Sequence, residues 1–438
     1  VSVSKGKRKI NIKITCVVII AIAVLVAFIL GNQSTKSEYA FKSIGDQDAA
    51  IPSVSSQSAV LYNMDLDEVI YEKDGDARVN PYSTTKLMTA YIALEKLSLD
   101  QEVCIKNAGA ESSETAMDLV DGEVLTVEEL LEGLLVESGN DAARVLAVEA
   151  AGSESKFASL MNKQAEEWGC TGTNFVNASG MKADNHYTTV NDYLIITNKV
   201  FANKDIKKIC SLESVTIPAT NKSAERKYTT HTTLRDEDGS GVVCGKTGYW
   251  DETDCAVALQ YLKKDMNLAL VIMGATEDSR EADAKALLGY AHEFVPGYIV
   301  AKPKTETCKI WVRGGKQTHI PVTVTKTAYA YPKSNSEKDI TLKASLCDGI
   351  KVPIKKGDVI GTLKVYSDGK LVATKKLASM VDVEKGWFTS YIYLSNLAVV
   401  CILLAIFACV IMLFACARII KKRKMKHIAE RKHRRESR

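Results

Sequence analysis

The chain has 438 residues, and single hydrophobic cores stop growing at roughly 250–300 residues, so two folded units are expected. Hydrophobic residues make up 46% and charged residues 25%, which excludes disordered and collagen-like classes. The formal charge of +4 is unevenly spread: residues 1–13 hold five Lys/Arg and no acid, and the stretch from Arg418 holds eleven against Glu430 and Glu436. Between those ends, 41 basic residues face 51 acidic ones, an acidic middle that is not a nucleic-acid-binding surface.

Two apolar runs flank that middle. Residues 14–30 (ITCVVIIAIAVLVAFIL) follow the basic leader and read as a signal peptide or an uncleaved anchor. Residues 394–417 reach the roughly 20 apolar residues that a membrane-spanning helix needs, and Arg418 and a KKRK run follow at once. Trp387, Tyr391 and Tyr393 stand where an outer aromatic belt would fall. Both basic ends read as cytoplasmic by the positive-inside rule, which puts the middle outside the cytoplasm. Seven cysteines fall in that middle with no C-x-x-C and no zinc-type spacing, so no metal or cofactor is expected. Cys244 and Cys255 flank a predicted turn as possible cross-strand neighbours.

In chain order, residues 31–56 are rich in Ser, Gln, Asp and Ala and read as a spacer. SAVLYNMD and EVIYEKD read as strands around a turn at Asp65–Asp67. TTKLMTAYIALEKL after Pro81 has a helical pattern, and residues 126–151 read as two helices broken at Ser138-Gly139-Asn140. Residues 153–168 and 188–200 add amphipathic helices. VVCGKTGYW, CAVALQYL and LALVIMGA read as strands, and a helix over 282–295 closes the unit. This order implies an α+β fold, an antiparallel sheet covered by helices. From about Pro296, alternating segments with turns such as SDG predict a small all-β unit ending near Val383.

Three short elements carry the chemistry. In Ser83-Thr84-Thr85-Lys86, residues three apart share a helix face, which sets a lysine amine beside a serine hydroxyl. Serine needs a base to become a nucleophile, and lysine serves as one when burial or a nearby cation lowers its pKa. Ser138-Gly139-Asn140 offers a hydroxyl to relay a proton and an amide to hold a substrate. Lys246-Thr247-Gly248 offers a cation and a hydroxyl for a carboxylate, with a glycine that lets a substrate backbone come close. Each alone has a bland reading: a solvated helix start, a helix cap, an edge-strand lysine. Together, in the order S-x-x-K, S-x-N, K-T-G with gaps of 55 and 108 residues, they match the pattern of penicillin-binding proteins and class A β-lactamases.

The sequence resembles the low-molecular-weight penicillin-binding proteins that are D-alanyl-D-alanine carboxypeptidases, the peptidase S11 family. The resemblance covers about residues 56–385 and rests on SAVLYNMDLDEVIYEKDGDARVNPYSTTKLMTA, VESGNDAA, ASGMKADNHYTTVNDYLII, GVVCGKTGYW and GATEDSREADAKALLGYA. It implies a penicillin-binding, β-lactamase-like transpeptidase fold. It implies that Ser83 attacks the carbonyl between the last two D-alanines, Lys86 takes its proton and Ser138 passes a proton to the leaving D-alanine. Asn140 and Lys246 complete the network, Lys246 and Thr247 hold the terminal carboxylate, and Tyr249 lends a backbone N–H to the oxyanion hole. Arg280 supports the carboxylate or is a helix-start arginine. His186 reads as structural, and Asp192 as orienting its loop. The implied partners are the peptidoglycan stem peptide, β-lactams as inhibitors, and the membrane.

The implied division is a leader with a signal peptide or anchor (1–30), a linker (31–56), a catalytic domain (57–296) and a small β-rich domain (297–385). A transmembrane helix (394–417) and a basic cytoplasmic tail (418–438) follow. Two alternatives to the carboxypeptidase stand, and a third lacks its base. A class A β-lactamase needs an E-x-x-L-N base, which residues 155–195 lack. A DD-endopeptidase acting on cross-links and a penicillin-binding membrane sensor without turnover remain.

Overall fold

The computed structural model describes residues 41–107, 114–232, 234, 240–386 and 396–436. The first apolar run and the aromatic residues Trp387, Tyr391 and Tyr393 lie outside the described residues. Within the span read as a spacer, Lys42–Ile44 (β1) pairs antiparallel with Gly297–Ala301, so that span contributes a strand to the second unit.

Ser58–Asn63 (β2) and Glu68–Lys73 (β3) pair across the expected turn, where Asp67 takes a positive φ of 64°. A 3-10 turn, Tyr82–Thr85, runs directly into helix Lys86–Leu94 (α1). The short pair Glu102–Cys104 (β4) and Val124–Thr126 (β5) leads to Val127–Glu132 (α2), which opens on a capping box between Thr126 and Glu129. A π turn, Gly133–Glu137, follows and ends at Ser138, and Asn140–Ala151 (α3) begins the next helix. Glu154–Glu167 (α4), Val190–Val200 (α5) and Lys204–Ile209 (α6) complete the helical cluster. The hairpin Ser214–Ile217 (β6) and Arg226–Thr229 (β7) packs beside it. Val242–Asp251 (β8), Asp254–Lys263 (β9) and Met266–Ala275 (β10) then form a meander. The closing helix spans Glu277–Phe294 (α7), starting before residue 282 because Thr276 caps it with Ser279.

The main sheet has the order β3-β2-β10-β9-β8, antiparallel throughout, with β8 at one edge. Its middle strands are buried on both faces, which is why β10 reads as an unbroken apolar run. Successive residues alternate between two cores: Leu268, Leu270 and Ile272 pack toward Leu287 and Leu288 of α7, while Ala269, Val271 and Met273 pack toward α1, α3 and α5. Period-2 geometry sends neighbours to opposite faces, so one strand ties both helical layers together.

The second unit holds β11 (Gly297–Ala301), β12 (Cys308–Trp311), β13 (His319–Val324), β14 (Ala328–Ala330), β15 (Ile340–Leu346), β16 (Val359–Ser367) and β17 (Lys370–Ser379). Five of them form a sheet in the order β12-β13-β17-β16-β15, and β1, β11 and β14 form a second sheet. The β9–β10 turn reaches into this unit: Asp265 accepts from the Tyr329 backbone N–H at 2.9 Å and pairs with Lys375.

The last helix, Asn396–Glu436 (α8), does not stop at 417 but runs on through the basic tail, about 60 Å in all at 1.5 Å per residue. Among the described residues it is the one helix long and apolar enough to cross a membrane. The eight described cysteines form no disulfide among themselves. Cys244 lies opposite Gln260 and Cys255 opposite Tyr249, so the two possible cross-strand neighbours are not in register.

Candidate active site

Ser83 sits in the 3-10 turn, one turn before the main run of α1, and Lys86 is the first residue of that helix. The three-residue spacing brings Lys86 Nζ to 2.9 Å from Ser83 Oγ. The same Nζ donates to Asn140 Oδ1 at 2.6 Å and to the Ser179 carbonyl at 2.7 Å. An ammonium would spend all three N–H bonds on these acceptors. A neutral amine keeps two for Asn140 and Ser179 and turns its lone pair toward the Ser83 O–H. Lys86 is fully buried, and its pKa lies well below the usual lysine value, first through burial and second through the positive charge of Lys246.

Ser138 and Asn140 come from the junction between the π turn and α3. The π turn ends with Ser138 in the left-handed region (φ 75°, ψ 30°), so the chain reverses there before α3 starts at Asn140. From a two-residue separation, Ser138 Oγ meets Lys246 Nζ and Asn140 Oδ1 meets Lys86 Nζ. Asp141, next in the chain and buried, accepts from the backbone N–H groups of Met117 at 2.9 Å and Leu119 at 3.0 Å. It thereby ties the 114–120 segment to the start of α3.

Lys246, Thr247, Gly248 and Tyr249 lie on the edge strand β8. Lys246 Nζ donates to Ser138 Oγ at 3.0 Å and to the Thr247 carbonyl at 3.0 Å. Burial pushes its pKa down to about 8. Neither Lys86 nor Lys246 has a carboxylate within ion-pair distance among the described residues.

Gly248 does not meet an open cleft. A Cβ there would sit 2.9 Å from the Pro81 carbonyl and 3.1 Å from Tyr82 Cβ, so the glycine lets β8 lie directly against the turn that carries Ser83. Gly180 has the same effect from the other side: at φ +85°, a Cβ would fall 1.8 Å from the Tyr82 carbonyl. Tyr82 itself holds a φ of 46°, stacks on Trp250 and donates its hydroxyl to Asp254. Glycines on two strands of chain and one aromatic anchor thus fix the serine's turn.

The cleft, of about 400 Å³, is lined by Ser83, Ser138, Thr247, Tyr249 and Arg280 among the expected residues, and by Thr115, Thr230, His231 and Glu277. Arg280 is 7% exposed and joins Lys246 as a second cation at the same end. His186 lies below the site. Its Nδ1 accepts from the Val176 backbone N–H at 3.2 Å, which leaves an Nε2–H to donate to Thr85 Oγ1 at 3.0 Å. Burial lowers its pKa to about 4, so it is a neutral structural residue. Asp192 accepts from Gly172 N and Thr173 Oγ1, both at 2.7 Å, and so orients the turn before that loop.

The sequence reading missed Ser179, Asp141 and His231. Ser179 contributes a main-chain carbonyl, which carries no residue signature. Asp141 sits inside the quoted VESGNDAA segment, one residue past the motif.

Residues 46–277 match the family described as D-alanyl-D-alanine carboxypeptidase, Peptidase_S11, and residues 300–385 match the penicillin-binding protein 5 C-terminal domain. The chain is 29% identical to the D-alanyl-D-alanine carboxypeptidase DacF of Bacillus subtilis over 345 residues, covering 77% of this chain and 88% of that protein. It is 26% identical to DacC of Escherichia coli over 358 residues, covering 78% and 88%. Among solved structures, penicillin binding protein 5 of Haemophilus influenzae aligns with a TM-score of 0.53 at 25% identity, covering 77% of this chain and 99% of that one.

Proposed function

The chain belongs to the D-alanyl-D-alanine carboxypeptidase family, peptidase S11, and on that premise we propose that it removes the terminal D-alanine from peptidoglycan stem pentapeptides through an acyl-enzyme on Ser83. The observation that carries this reading is the buried Lys86 amine, 2.9 Å from the Ser83 hydroxyl and facing no carboxylate.

In this reading the terminal carboxylate of the peptide docks between Lys246, Thr247 and Arg280, two cations and a hydroxyl at one end of the cleft. Neutral Lys86 takes the Ser83 proton as Oγ attacks the penultimate carbonyl carbon. The developing oxyanion falls to the backbone N–H groups of Ser83 and Tyr249. Such preorganised donors are typically worth about 3 kcal/mol each. The proton passes through Ser138 to the departing amine as the C–N bond breaks, and D-alanine leaves. Water then attacks the ester, Lys86 again accepting a proton, and Ser83 is regenerated with the shortened stem as product. A penicillin places its own carboxylate and strained amide in the same positions and acylates Ser83. After ring opening its leaving nitrogen stays tethered, which slows the second step.

The reading extends to placement. The apolar part of α8 crosses the membrane, the catalytic unit stands outside the cytoplasm, and the basic residues from Arg418 lie inside. The β-rich unit between them sets the height of the cleft above the bilayer.

The test is D-alanine release from a muropeptide pentapeptide by the detergent-solubilised chain, alongside fluorescent-penicillin labelling of the same preparation. Release and labelling are both expected, and Ser83→Ala is expected to abolish both. Labelling that persists in Ser83→Ala would remove Ser83 as the nucleophile. Labelling without D-alanine release would favour a sensor, and release from cross-linked dimers alone would favour an endopeptidase.

A further inference from the structure

The turn that presents Ser138 is an awkward piece of backbone. It ends a π turn, holds a non-glycine residue at φ 75°, and leaves the Glu137 carbonyl at a helix end where no intrahelical N–H reaches it. Something outside the turn has to hold it, and the strand β7 together with the residues just beyond it stands against that side. Three side chains reach across from this segment. Arg226 donates to the Met117 carbonyl at 3.1 Å and pairs with Glu123. Tyr228 Oη donates to the same Met117 carbonyl at 2.7 Å. Met117 in turn donates its N–H to Asp141, three residues after Ser138. The third, His231, lies with Nε2 3.0 Å from the Glu137 carbonyl and also lines the cleft.

We infer that His231 is a positioning residue for the proposed reaction: its Nε2–H caps the Glu137 carbonyl and so holds Ser138 in the left-handed turn that aims its hydroxyl at Lys246. The tautomer follows from the partner. A carbonyl only accepts, so Nε2 carries the hydrogen in the neutral ring and Nδ1 holds the lone pair. The cap needs a donor at this point, not a charge. His231 lies in the fields of Lys246, Arg280 and Lys86, with the Glu137 carboxylate on the adjoining turn. Desolvation of the ring first, and those cations after it, disfavour a protonated ring. Arg226 and Tyr228 do the same service one layer out, through Met117 and Asp141, so β7 is a buttress for the S-x-N turn, as Gly248 and Gly180 are for the Ser83 turn.

This inference rests on the carboxypeptidase reading for the step in which Ser138 acts, and its test separates the two. The detergent-solubilised full chain is compared as wild type, His231→Ala, His231→Gln, Ser138→Ala and the double variant His231→Ala/Ser138→Ala. Each is measured for kcat and KM of D-alanine release, for the acylation rate with fluorescent penicillin and for thermal unfolding. His231→Ala is expected to lower kcat about tenfold, the scale of one lost hydrogen bond, with KM within about twofold. His231→Gln, which keeps an N–H donor, is expected to restore most of kcat. In the Ser138→Ala background, adding His231→Ala is expected to change kcat no further. An unchanged kcat in His231→Ala, or a full additive loss in the double variant, overturns the inference. So does failure of His231→Gln to recover kcat while unfolding at the wild-type temperature. If the wild type is acylated but releases no D-alanine, the carboxypeptidase reading falls and the same comparisons are read in the acylation rate. If the wild type does neither, both readings fall.

Discussion

Replacing Lys246 by glutamine removes one buried cation while keeping an N–H donor for Ser138. Lys246 is 2% exposed, and burial takes its pKa from 10.5 to about 8. At 1.36 kcal/mol per unit, that shift corresponds to about 3 kcal/mol. Below about pH 8 both the folded and the unfolded chain hold this proton, and the folded state bears the full penalty for keeping a charge in a dry site. Between about 8 and 10.5 the unfolded chain holds more of the proton than the folded one, so stability rises with pH. Above that window neither state is charged and the penalty is gone. Wild-type stability minus Lys246→Gln stability is therefore expected to rise by most of those 3 kcal/mol between about pH 7 and pH 10, the variant being favoured at the lower value. Urea unfolding of the catalytic unit, followed by tryptophan fluorescence at a series of pH values, reads this difference. The lysines remote from the cleft titrate in both proteins and cancel, while Lys86, lowered in part by Lys246, adds to the difference in the same direction. The same variant is expected to acylate more slowly but measurably, because the cation serves the carboxylate and the neutrality of Lys86. A difference that stays flat across the window would refute the claim that Lys246 is a desolvated cation in the folded protein.

The acid limb of kcat/KM for D-alanine release is expected to report Lys86, with activity lost as pH falls through its lowered pKa and the amine takes up a proton. Lys246→Gln moves that limb to higher pH, since one of the causes of the lowering is gone; a limb that stays in place argues for a different base. Gly248→Ala puts a methyl group 2.9 Å from the Pro81 carbonyl. It is expected to cut the penicillin acylation rate at least about tenfold while circular dichroism stays unchanged, and wild-type acylation would show that β8 yields freely. Asp141→Asn turns an acceptor for the Met117 and Leu119 amides into a partial donor. A loss of about 2 kcal/mol in urea unfolding is expected, on the scale of an unsatisfied buried polar group, and a neutral result would remove Asp141 as the tie between the 114–120 segment and α3.

Much of the architecture was legible because it is written in local patterns. The turn at Asp65–Asp67, the break at Ser138–Asn140 and the three strands from Val242 to Ala275 all follow from turn residues and periodicity, and the structure has them. The short pairs β4–β5 and β6–β7 escaped that reading, because three- and four-residue strands are too brief to show an alternation. The strand β1 hid in a polar stretch, since its partner lies more than 250 residues away at Ile299. The helix α7 began earlier than its apolar residues suggested, because its first turn is held by the Thr276 cap and not by core packing.

By itself the sequence named the side chains proposed to carry this protein's chemistry. Spacing alone forces Ser83 and Lys86 onto one helix face, and the order of the three motifs names the remaining partners. It could not determine how those partners act on one another, because that depends on distances across 54 to 108 residues of chain. Tertiary packing decided that Lys86 is dry and faces Asn140 and the Ser179 carbonyl, and that Lys246 reaches Ser138. It also decided that Gly248 lies directly against the turn that carries Ser83. A lysine's pKa is set by desolvation and by the charges around it, and a hydrogen bond to a main-chain carbonyl depends on position and not on residue type. Neither property exists until the chain has folded.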